Sequence, residues 1–225
     1  ELNIEHLNAG QVSNTPAGYF IEISTGSYYT CGINTDKSLE CWGAFQQIPS
    51  NDNFIKISSG SHILCGIDES NSVKCYDWTG YSYNTPTQSF IDISTGNTHA
   101  CGIKTNGSIT CWALSRFESN NSDIYGQISD IPSGSFIDIS AGDFHTCGIK
   151  SDGSVECWGI DNGSNADFGQ VTDTPSGSFV RISSGGNHNC GINTDGSLRC
   201  SGRVSVTETE ATSMLPCDTT KRLAC

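Results

Sequence analysis

The chain has no apolar run near the ~20 residues needed to span a bilayer, and it opens at Glu1 without a basic and apolar leader, which reads as a mature, already processed chain. Basic residues are scarce. There are 11 Lys and Arg against 24 Asp and Glu, a net charge of −13, so the surface repels nucleic acid and anionic membranes, and a chromatin role is disfavoured. Helical periodicity is missing over any useful length. So are a Gly-x-Ser-x-Gly elbow, a His-Glu-x-x-His pair, a phosphate-binding glycine loop and a recurrent Ser/His/Asp arrangement. An active site would therefore have to be assembled from distant segments; the expectation is a protein that is not an enzyme and carries no cofactor.

Cysteine, by contrast, is abundant and ordered. Five pairs have nine residues between them: Cys31/Cys41, Cys65/Cys75, Cys101/Cys111, Cys147/Cys157 and Cys190/Cys200. The clearest copy, Cys147-Gly-Ile-Lys-Ser-Asp-Gly-Ser-Val-Glu-Cys157-Trp-Gly, reads as strand, turn, strand. Residues facing across a hairpin have a constant number sum, which centres the loop on Asp152 and makes it Ser151-Asp152-Gly153. The last loop residue should be left-handed. Gly107, Gly153, Gly196 and Asn71 suit that conformation, whereas Lys37 does not. The same register sets the cysteines of each pair opposite each other, ~4.5–5.5 Å apart at Cα and within disulfide reach. Pairing between neighbouring repeats is the competing arrangement. Both need an oxidising compartment, hence an expected secreted or cell-surface location. Cys217 and Cys225 make the count even and suggest a clip in the C-terminal tail. Metal-ligand pairs usually lie two to four residues apart, so a zinc reading fits this spacing poorly and no metal is expected.

The repeat is longer than the hairpin. Upstream of the first cysteines stand Phe20-Ile-Glu-Ile-Ser-Thr-Gly26, Phe54-Ile-Lys-Ile-Ser-Ser-Gly60, Phe90-Ile-Asp-Ile-Ser-Thr-Gly96, Phe136-Ile-Asp-Ile-Ser-Ala-Gly142 and Phe179-Val-Arg-Ile-Ser-Ser-Gly185. Alternation places both aliphatic residues of each segment on one face. Before them come the connectors Gly10-Gln11-Val12, Gln47-Ile48, Gly126-Gln127-Ile128 and Gly169-Gln170-Val171, a weaker fourth strand signal. First cysteines follow one another at 34, 36, 46 and 43 residues, the longer intervals holding polar insertions near 114–125 and 160–168. Four short strands per ~40-residue unit point to an all-β fold, a β-propeller of about five four-stranded blades with one stapled hairpin per blade.

The pattern Phe-Ile-x-Ile-Ser-x-Gly-x-x-His-x-Cys-Gly-Ile, Asp-Gly-Ser-Val-x-Cys-Trp-Gly and Gly-Gln over residues 9–202 resembles the repeats of the regulator-of-chromosome-condensation family. It is especially similar to the cysteine-paired versions in secreted bacterial proteins and in Crinkly-type receptor ectodomains. The resemblance implies a propeller. It does not select a function, because the family includes nucleotide exchange, ultraviolet sensing, β-lactamase inhibition and ectodomain recognition. The ultraviolet-sensing tryptophan motif has no counterpart here. Well-known members have seven blades, whereas five complete units are visible. The expected organisation is an extension at 1–9, a propeller at 10–202 and a tail at 203–225. The spare connector Gly10-Gln11-Val12 is expected to pair with the last blade and close the ring; alternatively, residues 203–207 complete that blade.

Several residues invite functional readings. Tyr29, Ile63, His99, His145 and His188 share one repeat position, and the histidines are expected to be structural hydrogen-bonders rather than metal ligands. Trp42, Trp112 and Trp158, with Tyr76 and Ser201 at the matching places, suit packing between blades. Asp161-Asn-Gly-Ser-Asn-Ala-Asp167 superficially resembles a calcium loop but lacks the bidentate glutamate and flanking helices. Asn106, Asn120 and Asn162 are possible N-glycosylation sites in turn-like text. The leading expectation is a recognition module for a protein or glycan partner, using loops at 81–87, 116–125 and 161–168. The alternatives are a structural subunit of an extracellular fibre or coat, assembling with other copies of itself, and an enzyme with a site spread over several blades.

Overall fold

The computed structural model describes residues 15–44, 52–114, 125–174 and 176–202. Asn120, Cys217, Cys225, residues 203–207 and the connectors at Gln11 and Gln47 lie outside them. Every described strand belongs to one of five antiparallel three-stranded sheets. Blade 1 is β1 (Phe20–Thr25), β2 (Tyr29–Asn34) and β3 (Leu39–Gly43); blade 2 is β4 (Phe54–Ser59), β5 (Ile63–Asp68) and β6 (Val73–Asp77). Blade 3 is β7 (Phe90–Thr95), β8 (His99–Lys104) and β9 (Ile109–Ala113). Blade 4 is β10 (Phe136–Ala141), β11 (His145–Lys150) and β12 (Val155–Gly159), and blade 5 is β13 (Phe179–Ser184), β14 (His188–Asn193) and β15 (Leu198–Gly202).

Blades of four strands are a correction: among the described residues each blade has three. The expected fourth strand folds instead as a turn, because Gly126 and Gly169 have φ of +75° and +77° and the Asp130 and Asp173 amides bond back to their carbonyls. The connector glutamines Gln127 and Gln170 are buried in these turns, their Oε1 atoms accepting from the amides of Tyr125 and Phe168. Among the described residues, blade 2 keeps a trace of a fourth strand, a bridge of Tyr76 with Ser82 and a bond from the Tyr83 amide to the Cys75 carbonyl.

Hairpin register is as the number sums predict, with Cys147 opposite Cys157 and the equivalent pairing in every blade. Each of the five pairs is bridged inside its own hairpin: Cys31 to Cys41, Cys65 to Cys75, Cys101 to Cys111, Cys147 to Cys157 and Cys190 to Cys200. Pairing between neighbouring repeats is therefore not the arrangement formed. The Cα separations are 4.0 Å, which corrects the expected ~4.5–5.5 Å because the bridge draws the facing strands together. The staples are not equally enclosed. Cys41 is only partly buried, packing on the edge of the core between blades 1 and 2, whereas its counterparts Cys75 and Cys111 are buried and Cys200 is exposed.

The third loop residue is left-handed in all five hairpins, Lys37 included at φ 71°. The first strand departs from simple alternation. A bulge after each leading phenylalanine turns Ile21, Ile55, Ile91, Ile137 and Val180 to solvent, so the two aliphatic residues of that strand do not share a face. The phenylalanine ring lies over the glycine of Cys-Gly-Ile: a Cβ on Gly66 would meet the Phe54 ring at 2.4 Å, which is why that position is always glycine.

The core sits between blades rather than within one. Each blade has a front face carrying the disulfide and its neighbouring aliphatics, and a back face carrying the phenylalanine, the second isoleucine and the residue after the second cysteine, a tryptophan in blades 1, 3 and 4, Tyr76 in blade 2 and Ser201 in blade 5. Cys65, Ile67 and Val73 of blade 2 pack on Phe90, Ile93 and Trp112 of blade 3. Cys101, Ile103 and Ile109 of blade 3 meet Phe136, Ile139 and Trp158 of blade 4 in the same way. Blade 1 meets blade 2 through Tyr29, Cys31 and Ile33 against Phe54, Ile57 and Tyr76. Trp112 and Trp158 thus pack between blades, whereas Trp42 packs on Phe20 of its own blade. Each fully buried aliphatic or aromatic side chain contributes roughly 1.5–3 kcal/mol, so stability accrues junction by junction. Along the axis, first strands lie side by side, β1 by β4, β4 by β7, β7 by β10 and β10 by β13.

Candidate recognition face

Strand pairing assigns the loops to two ends. Tyr29 faces Gly43, Ile63 faces Asp77, His99 faces Ala113, His145 faces Gly159 and His188 faces Gly202, so each third strand ends beside the start of its second. The segments leaving blades 2 to 4 therefore depart from one end of the propeller, and the hairpin tips occupy the other. At the loop-bearing end, the inner turns of all five blades surround an opening of about 270 Å³.

The tip end is built for stability. Asp36, Asp152 and Asp195 each accept from the amide and hydroxyl of the serine two residues on, and Asn106 does the same with Ser108. These contacts hold the Asp36, Asp152 and Asp195 carboxyls below the usual aspartate range. The sequon residue Asn106 thus has a turn-forming role of its own.

The loop end differs from blade to blade. Where the other blades place Gly43, Ala113, Gly159 and Gly202, blade 2 has Asp77, nearly fully buried, whose Oδ1 accepts from the Thr79 amide at 2.8 Å, the Thr79 hydroxyl at 2.6 Å and the Tyr81 amide at 3.2 Å. That turn holds Trp78 49% exposed, although the equivalent Leu114 and Ile160 are buried. Tyr81 and Tyr83 pack edge to face beside it. The sequence-based loop beginning at 81 missed this presenting turn; the signal for it was the break in the repeat at Asp77-Trp78. On blades 4 and 5 a cleft of about 560 Å³ is lined by Tyr125, Asp130, Trp158, Asp161, Asn162 and Val171. The sequon residue Asn162 stands exposed at this cleft, its Oδ1 capping the Ser164 amide.

Asp167 is used inside its own loop: Oδ2 accepts from the Gly163 amide and Oδ1 from the Gly169 amide, which holds its carboxyl below the aspartate range. The calcium-like spacing thus serves a loop clasp. The histidines reach across blade junctions. His99 Nε2 lies 2.8 Å from Thr146 Oγ1, and His145 Nε2 bonds Asn189 Oδ1 at 2.7 Å while Asn189 donates to the Gln170 carbonyl. Burial pushes the His145 imidazole below its ordinary pKa, so it is neutral in the fold. Among the described residues no cluster of His, Cys, Asp or Glu is arranged to hold a metal.

Around the axis the variable residue of each first strand forms a charged row, Glu22, Lys56, Asp92, Asp138 and Arg181. Lys56 pairs with Asp92 at 2.6 Å. Burial raises the Glu22 and Asp138 carboxyls above their ordinary values; Lys56 opposes the shift at Glu22, and the Ile182 amide opposes it at Asp138.

The profile of the regulator of chromosome condensation (RCC1) repeat matches residues 136–170 and 179–203, the fourth and fifth units. The Crinkly WD40 ectodomain of the Arabidopsis thaliana receptor kinase ACR4 superposes with a TM-score of 0.64 and 26% identity, over 84% of this chain and 65% of that one. The ectodomain of the Physcomitrella patens receptor kinase CR4 gives 0.69 and 22%, over 86% and 55%, and yeast RCC1 (Prp20), solved bound to Kap60, gives 0.63 and 14%, over 81% and 56%. The chain therefore spans less than two thirds of the structures it resembles. No curated protein sequence matches it significantly.

Proposed function

We propose that this chain, an all-β propeller built of regulator-of-chromosome-condensation-type repeats, is a non-catalytic recognition module that meets a protein or glycan partner through its loop-bearing face. The observation that carries this reading is the division of labour between the two ends. The tips repeat one turn geometry five times, whereas the loop end breaks the repeat to present Trp78 on a rigid turn and to line the Tyr125–Asp161 cleft. Loops on a rigid scaffold are where binding specificity is commonly placed, and a pre-ordered aromatic loses little entropy on binding. Five disulfides require an oxidising compartment, so the module works outside the cell or at its surface. The receptor-kinase ectodomain among its structural relatives supports that placement.

The test is to screen the oxidised chain on a glycan array and against labelled cell-surface proteins, then to compare variants. Trp78→Ala should weaken the captured interaction by about 30-fold or more, as truncating an interface anchor does, with an unchanged melting temperature. Asp152→Ala, at the opposite end, should leave affinity intact. Affinity lost with the tip variant and kept with every loop-face variant would refute the assignment.

A further inference from the structure

Each inner turn begins with a glycine, and along the series each glycine carbonyl is turned towards the blade before it. A Cβ on Gly26 would lie 2.5 Å from the Gly60 carbonyl oxygen, one on Gly60 2.1 Å from that of Gly96, one on Gly96 2.3 Å from that of Gly142 and one on Gly142 2.5 Å from that of Gly185. Glycine recurs here because the next blade's carbonyl takes the space of a side chain. The amides of these turns are used: Gly60, Gly96, Gly142 and Gly185 donate to the carbonyls of Ile63, His99, His145 and His188. The carbonyls are not. Among the described residues no hydrogen bond is donated to the carbonyl of Gly60, Gly96, Gly142 or Gly185.

These four glycines line the opening at the loop-bearing end, so its wall is rich in acceptors. Ser27 and Ser61 add hydroxyls and Asp143 adds a carboxylate, the one charged side chain of the lining; no Lys, Arg or His belongs to it. Thr95 also lines the opening, is 5% exposed, and carries the lining's one buried side-chain atom without a partner among the described residues, its hydroxyl oxygen. A buried hydroxyl left unpaired is costly, and a ligand that donates to it removes the cost.

We propose that this opening receives a primary ammonium group, the lysine side chain of a protein partner. Free carbonyl oxygens, one carboxylate and a net charge of −13 all favour a cation. An ammonium suits the opening better than a bare metal ion does. A hard divalent cation needs six to eight oxygens at ~2.3–2.6 Å, whereas an opening of about 270 Å³ is far larger than one ion and offers a single carboxylate. Lysine brings three donors on a flexible four-carbon stem, so its head can meet several acceptors while its methylenes fill the remaining space. Next to Ser27 and Ser61 stand Tyr28 and His62, both exposed, their rings stacked across the junction of blades 1 and 2 at 5.9 Å with 16° between the planes. They form an aromatic wall against which a lysine stem can lie. The inference rests on the loop-face reading for the source of the lysine, and it narrows the partner from protein or glycan to protein.

The test titrates a capped glycine–lysine–glycine tripeptide into the full oxidised chain and follows backbone amide shifts. Saturable shifts should appear at Gly60, Gly96 and Gly142, and the same peptide acetylated on the lysine amine should produce none. Asp143→Asn should weaken binding about tenfold, as loss of a charge-assisted partner does, with an unchanged melting temperature. Ser27→Lys, which sets the chain's own ammonium at the rim, should abolish it, whereas Thr105→Lys, the same added charge at a hairpin tip, should leave it intact. Absent shifts, equal binding of the acetylated peptide, or calcium chloride producing the same shifts at lower concentration than the peptide would overturn the proposal. A captured partner that loses affinity with Trp78→Ala yet binds Ser27→Lys as well as the parent overturns this inference and leaves the loop-face reading standing. A tripeptide that binds as expected while no partner depends on Trp78 supports the ammonium site and sinks that reading instead.

Discussion

Removing one staple should cost different amounts at different blades, although all five loops are the same size. Each bridge joins cysteines ten positions apart, for which the chain-entropy relation gives about 2.7 kcal/mol at 25 °C. That term is common to all five. Burial is not: Cys101 and Cys111 are buried against blade 4, whereas Cys190 is half-buried and Cys200 exposed. Truncating a buried sulfur to alanine loses roughly a methylene's worth of transfer free energy plus the cavity left behind, about 1 kcal/mol per site. Cys101→Ala/Cys111→Ala should therefore cost about 4–5 kcal/mol and Cys190→Ala/Cys200→Ala about 3 kcal/mol, with the half-enclosed Cys31–Cys41 bridge between them. For a chain of this size 1 kcal/mol moves the melting temperature by about 2–4 °C, so the blade 3 and blade 5 variants should melt about 2–8 °C apart. The measurement is thermal unfolding without reductant, followed by tryptophan fluorescence, at concentrations where the chain is monomeric. Equal melting temperatures, or a larger loss at the outer pair, would refute the view that the staples also serve as inter-blade core.

Acid should weaken the fold through His145. Its folded pKa is depressed, so between the ordinary histidine value and that lower one the unfolded chain binds a proton the native chain does not, and stability falls as pH falls. Asp138 and Glu22, raised in the fold, act in the opposite sense at lower pH. His145→Gln should flatten the stability profile just below pH ~6.5, checked by urea titrations from pH 7 downward. Lys37→Gly should stabilise by about 1 kcal/mol, because a left-handed L-residue costs roughly 1–2 kcal/mol and the exposed Lys37–Glu69 pair returns less than that. A loss of stability in urea unfolding would show the ion pair to be the stronger term.

The parts of this fold legible in sequence are those set by contacts within one hairpin. Cysteine register, loop length and the left-handed third position all follow from the residues between and including one cysteine pair, and Lys37 shows the geometry overriding a poor local preference. The bulge after each phenylalanine escaped because alternation assumes an unbroken ladder; inserting one residue sends Ile55 to solvent and keeps Ile57 inside. The connector misled for a related reason. Gly-Gln-Ile looks like the start of a strand, but the glycine's positive φ turns the chain and the glutamine satisfies its own loop's backbone, so the connectors at 126–128 and 169–171 form turns rather than strands.

Features that depend on the next blade were harder to read, and they bear on function. His99 and His145 bond to Thr146 and Asn189, which lie 47 and 44 residues downstream, and only the third dimension brings them together. Sequence repetition predicts that each blade has a neighbour on both sides. Burial nevertheless varies along the series: Ile23, Ile192 and Leu198 are exposed, whereas Ile57, Ile93, Ile139 and Ile103 at matching positions are buried. A repeated motif thus fixes the conformation of a residue but not its surroundings, because burial is decided by the neighbouring blade rather than by the hairpin that carries the residue.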